Sequence, residues 1–183
     1  MTGKPISREK RDMAKAYALE DVRSGCNCAE GTIRGLIRAE IIDMPLDLGN
    51  RLSCGFGGGG GGAGNSCGAL CGGLLAVNWA FGRDDPFAIE DLLERRRQLV
   101  EYVYVYANNY TKRFVDTNGT ALCKDVITRN GTYGSEAQAK DCAGIIFSAI
   151  EHVCDMLQLQ DEDIPGLPKG FTVTSIGQEA AAT

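Results

Sequence analysis

A single histidine, no Cys-x-x-Cys pair and no run of roughly 18 apolar residues set the first limits on this 183-residue chain. One histidine, His152, cannot build a Cys–His zinc pattern, and it reads as a helix-surface or core residue. Without Cys-x-x-Cys there is no zinc knuckle, and without Cys-x-x-Cys-His no covalent haem attachment. The missing apolar run excludes a helical membrane span. Positive charge is also scarce, with 19 Lys and Arg against 24 acidic residues, a net charge of -5. No basic stripe is present, which argues against a nucleic-acid surface. The N-terminal residues, Met1 to Ser7, lead into a charged segment with no apolar signal core. The expectation is a soluble, cytoplasmic protein, in which the Asn-x-Thr sequons at Asn109, Asn118 and Asn130 are accidents of composition.

Cysteine and glycine are abundant, at 8 and 24 residues. In a reducing compartment, clustered cysteines bind metal or cycle between redox states more often than they form a disulfide framework. Six consecutive glycines, Gly57 to Gly62, run into Asn65-Ser66-Cys67-Gly68-Ala69-Leu70-Cys71-Gly72. The Gly-x-Gly-x-x-Gly contained in this run has no strand before it, and Gly64-Asn65 is not the end of a Walker loop, so nucleotide binding fails its context test. A flexible linker is the bland reading. The favoured one is a tight backbone wrap around a reactive thiol or inorganic centre, where side chains would be in the way. It makes Gly57, Gly58, Gly59, Gly60 and Gly68 the candidate cofactor-binding backbone.

Helical periodicity dominates the rest. Ser7 caps a helix to about Val22, with Met13, Ala16, Tyr17 and Leu19 as buried candidates, and Asn27 caps a second from Cys28 to about Ile42. Pro45 to Ser53 reads as a turn-rich connection. Ser66 is expected to cap a central apolar helix from Cys67 to Phe81, and Asp85-Pro86 to open a long one reaching Phe114. Within that helix, Val100 to Tyr106 has strand-like propensity, but Leu92, Leu99, Val103, Tyr106 and Tyr110 keep helical spacing. Thr120 caps a short helix bearing Cys123, which Asn130-Gly131 closes. Ser135-Glu136-Ala137-Gln138 is a capping box for a last helix to about Leu159. The spacing therefore predicts an all-α single domain of five or six helices over residues 1–160, with a glycine-rich loop before the central helix. Residues 161–183 read as an extended or mobile tail.

Laid on these helices, Cys28, Cys67 and Cys123 each fall in a first turn, where unpaired N–H groups and the helix dipole favour a thiolate. Cys142 lies two turns into the last helix, beside Lys140. Cys71 shares a helix face with Cys67, Cys26 pairs with Cys28 as Cys-x-Cys, and Cys54 stands at the entrance of the glycine loop. Cys154, among Val153, Met156 and Leu157, has the surroundings of an inert core thiol.

Cys28-Ala29-Glu30, the glycine loop with Cys67-Gly68-Ala69-Leu70-Cys71-Gly72, then Cys123 and Cys142 together resemble the C-GCAxxG-C-C family. The likeness spans roughly Cys26 to Cys154 and implies a redox role, with Cys28, Cys67, Cys123 and Cys142 as the four characteristic cysteines. Cys26, Cys54, Cys71 and Cys154 are additional to that set.

Three readings stay open. One is a thiol-based oxidoreductase or carrier, with Cys67 as the attacking thiolate and Cys28, Cys123 or Cys142 resolving. The second is an iron–sulfur or other thiolate-metal electron carrier on Cys28, Cys67, Cys123 and Cys142, with Cys71 as a further donor. The third is a non-redox helical interaction module with buried cysteines. The redox partner is unspecified, and a homo-oligomer is compatible with every reading.

Overall fold

The computed structural model describes residues 5–129, 132–167 and 170. Among them are seven helices of seven residues or more and no strand. These are α1 (Arg8–Arg23), α2 (Cys28–Arg38), α3 (Leu46–Ser53), α4 (Gly68–Phe81), α5 (92–118), α6 (Cys123–Arg129) and α7 (Glu136–Leu157). The all-α expectation holds, with one helix more than anticipated. None of the described helices is long and apolar enough to cross a membrane.

The additional helix is α3, in the stretch read as turns. Pro45, Gly49 and Asn50 have turn propensities, but packing overrides them. Gly49 is buried against Ile37 and Met44, where a Cβ would stand 2.7 Å from the Ile37 methyl. Ser53 closes the helix by donating from Oγ to the Gly49 carbonyl at 2.7 Å. The second helix stops at Arg38, earlier than Ile42, because Glu40 takes a left-handed conformation (φ 54) and Ile41 N–H turns back to the Leu36 carbonyl. Ile41 and Ile42 are still buried, but outside the helix.

Several caps follow their local chemistry. Ser7 Oγ accepts from Lys10 N–H, and Asn27 with Glu30 forms a reciprocal capping box. Ser135 Oγ accepts from Gln138 N–H, while the Gln138 side chain reaches back to Gly134 N–H instead of that of Ser135. Others are displaced. Cys67, and not Ser66, occupies the N-cap of α4 and offers no side-chain cap bond. Ser66 instead forms an isolated antiparallel bridge with Leu122. Asp85-Pro86 opens only a 3-10 turn, Pro86–Ala88, and Asp91 caps the long helix by accepting from Glu94 N–H. The β-branched stretch is helical, as its flanks predicted, with a π-helical turn at Leu99–Val103. The expected stop at Asn130-Gly131 and most of the expected tail lie outside the described residues; Asp161–Gly166 forms a 3-10 turn.

Helices α2, α4 and α7 pack on one another, with α1, α3 and α5 around them. The buried face of α1 is Ala14, Ala18 and Asp21, whereas Met13 and Ala16 are exposed. Small residues decide this, because Gly35 lies directly on the Ala14 carbonyl and Ala18, so the two backbones nearly touch. Asp21 is held there by Arg34 (2.8 Å) and Arg38 (2.7 Å). On the other side α5 drives Tyr106, Tyr110 and Phe114 into the core, Tyr106 stacking on Phe81 with ring centres 3.7 Å apart.

Candidate functional site

The glycine run folds into a compact turn. From Gly58 through Gly62 every residue has positive φ, a conformation that costs a side-chain-bearing residue roughly 1–2 kcal/mol. Its own backbone closes it, through Gly64 N–H to the Gly58 carbonyl (2.9 Å) and Asn65 N–H to the Gly59 carbonyl (3.0 Å). Gly59 is the contact point: a Cβ there would lie 2.6 Å from Asn65 N and 2.7 Å from Cys123 Cβ. Gly58, Gly60, Gly61 and Gly62 have open space at the same position, so they shape the turn without touching the thiols.

The turn and its exit bring two cysteines together by main-chain bonds. Cys67 N–H donates to the Ala121 carbonyl (2.7 Å), and Cys123 N–H to the Asn65 carbonyl (2.6 Å). These flank the Ser66–Leu122 bridge and lock the start of α4 to the start of α6. Cys28 arrives from α2, whose Asn27 cap accepts from Ala29 and Glu30 N–H and donates from Nδ2 to the Cys54 carbonyl (3.0 Å). The Cys28 sulfur lies against Gly68, where any side chain would collide with it. One turn on, a Cβ at Gly72 would stand 2.6 Å from the Ala29 carbonyl. Both glycines of Cys-Gly-Ala-x-x-Gly thus face α2, the first leaving room for the thiol and the second for the backbone. Cys142 comes from α7 and receives a hydrogen bond from Gln138 Nε2 at 2.9 Å.

A cavity of about 860 Å³ opens beside this cluster. Cys28, Cys123 and Cys142 line it, together with Cys26, Gly58 and Lys140, and much of the remaining wall is apolar, including Val22, Ile146 and Phe147. Cys67 does not line it and is only 5% exposed. The four characteristic cysteines therefore split into three at the wall and one behind. Cys71 is half-buried, Cys54 is exposed at the loop entrance and Cys154 is fully buried in the core. His152 is half-buried and shares a hydrogen bond with Thr117 Oγ1.

Electrostatics correct one expectation. Burial pushes the Cys67 thiol up to about 12. The N–H groups of Leu70 and Ala69 at the helix start pull it down as anticipated, but desolvation outweighs them, and Cys28 and Cys123 add to the rise. Burial likewise raises Cys71, Cys123 and Cys142, each with a further rise from Cys28, which stands at the electrostatic centre of the group. For Cys142 the Gln138 hydrogen bond and the Arg129 charge oppose the rise. Arg129 is itself tied to Asp141 by two bonds, at 2.8 and 2.9 Å. The four sulfurs are the donors a thiophilic metal centre would use. Among the described residues, however, no three Cys, His, Asp or Glu side chains stand at metal-holding spacing.

A family model described as putative redox-active protein (C_GCAxxG_C_C) matches residues 26–156. No curated protein and no solved structure matches the chain.

Proposed function

The chain belongs to the C_GCAxxG_C_C family, and from that premise we propose that it is a thiol-based redox protein of a reducing, cytoplasmic compartment that exchanges disulfides at the cavity wall. The observation that carries this reading is the presence of Cys28, Cys123 and Cys142 on one cavity, with Cys67 behind them. Cys28 takes the attacking role here, and not Cys67, because it opens onto the cavity while Cys67 is buried with a strongly raised pKa. The Cys28 thiolate attacks one sulfur of a partner disulfide; that S–S bond breaks and one partner sulfur leaves as a thiolate that takes up a proton. Cys123 or Cys142, deprotonated in turn, attacks the Cys28 sulfur and expels the second partner thiol. The chain then holds a disulfide, and the partner has gained two electrons and two protons.

The test is thiol counting under anaerobic conditions before and after a mild disulfide oxidant. The expected result is reversible loss of two thiols per chain, abolished in Cys28→Ser and retained in Cys54→Ser. Retention of full cycling in Cys28→Ser sinks the assignment. The metal reading uses the same four sulfurs, and what favours it is their shared proximity to Cys28 together with a burial that a bound cation would offset. Stoichiometric iron with acid-labile sulfide in anaerobically purified protein would decide for it.

A further inference from the structure

From Gly82 to Tyr104, 23 consecutive residues, not one is buried. The stretch is nonetheless folded and presents large apolar side chains among its charges. Phe87 and Leu93 are each 72% exposed, and Leu92, Tyr102 and Tyr104 are exposed beside them. Arg95 organises it, donating to the carbonyls of Ile89 (2.8 Å) and Glu90 (3.1 Å), with its guanidinium 4.8 Å from the centre of the Phe87 ring. Arg83 closes the unit by donating to the Arg95 carbonyl at 3.1 Å. The first turns of α5, Leu92–Gln98, pack extensively only on the π turn that continues them. Helical turns with no buried face gain little from packing, and exposed apolar surface of this kind marks a contact.

We propose that this arm is the dimer interface of the chain, pairing with the same arm of a second copy about a two-fold axis. Its charge pattern selects that occupant. Glu90, Asp91 and Glu94 form an acidic block immediately before Arg95, Arg96 and Arg97. An antiparallel pair of arms sets each acidic block against the other copy's basic block, twice over, as a two-fold contact requires. A partner of uniform charge meets repulsion from one block or the other. Glu90 and Arg96 have no side-chain partner among the described residues, which leaves both for this pairing.

The test is sedimentation velocity of the full chain, kept reduced so that disulfide-linked dimers do not contribute. The expected mass is twice the 19.6 kDa of the chain at low micromolar concentration. Leu93→Glu should raise the dissociation constant by about a hundredfold, with the far-UV spectrum unchanged because Leu93 supports nothing in the monomer fold. Arg96→Glu should weaken the dimer, and Glu90→Arg combined with it should restore binding. A monomer at 100-fold higher concentration, or a dimer indifferent to Leu93→Glu, overturns the proposal.

Discussion

The thiol cluster and the 82–104 arm are opposite solutions to placing residues in space. In the first, backbones are pressed together: Gly68 against the Cys28 sulfur, Gly72 against the Ala29 carbonyl and Gly59 against Cys123. In the second, no residue is buried, and Phe87 and Leu93 stand largely in solvent. Close backbone packing is concentrated where sulfur is held, whereas the arm is held by hydrogen bonds from Arg83 and Arg95 to its own carbonyls and not by burial. A substitution therefore has very different consequences in the two regions.

Identical chemistry sharpens the contrast most. Phe114→Ala removes a fully buried ring and should cost about 3–5 kcal/mol, read as a large drop in denaturation midpoint. Gly72→Val comes next. Its new Cβ meets main chain, which cannot rotate away, so a loss of about 2–3 kcal/mol and disturbed Cys28 reactivity are expected in urea melts and alkylation assays. Equal stability of Gly72→Val and wild type would remove the close-packing account of the motif.

A pH series probes the burial of the thiols. Since Cys67 is raised from 9.0 to about 12, its thiolate population at neutral pH is roughly a thousandfold below that of an ordinary cysteine. Its alkylation should be correspondingly slow and should rise tenfold per pH unit. The sign for stability follows. Between 9 and 12 the unfolded chain loses the thiol protons of Cys67 and Cys154 while the folded chain keeps them. Stability present below pH 9 is then lost progressively as pH climbs to 12, and a thermal midpoint flat across that window would contradict the burial. The smallest effect belongs to the arm. Phe87→Ala, measured in the monomeric Leu93→Glu background, should change stability by no more than about 0.5 kcal/mol.

Much of the fold was legible because its signals are local. Ser7, Asn27 and Ser135 cap helices through bonds to N–H groups three residues away or fewer, a distance at which sequence and structure are nearly the same thing. The path of α5 through a β-branched stretch was readable from the spacing of its flanks. Helix α3 was hidden because Gly49 looks like a turn until it is seen beneath Ile37. The buried face of α1 was hidden for the same reason, since Gly31 and Gly35, which select Ala14 and Ala18, lie on another helix.

The sequence by itself determined an all-helical chain, the order of its cysteines, and a glycine turn that delivers Cys67 to a helix start. These depend on residue identity and short-range spacing. Only the tertiary structure decided that Cys28 opens onto a cavity while Cys67 lies behind it, and that desolvation outweighs the helix start in setting the Cys67 proton affinity. Burial is a sum over neighbours distant in the chain, and in a low-dielectric interior that sum exceeds the few local dipoles a sequence motif can supply.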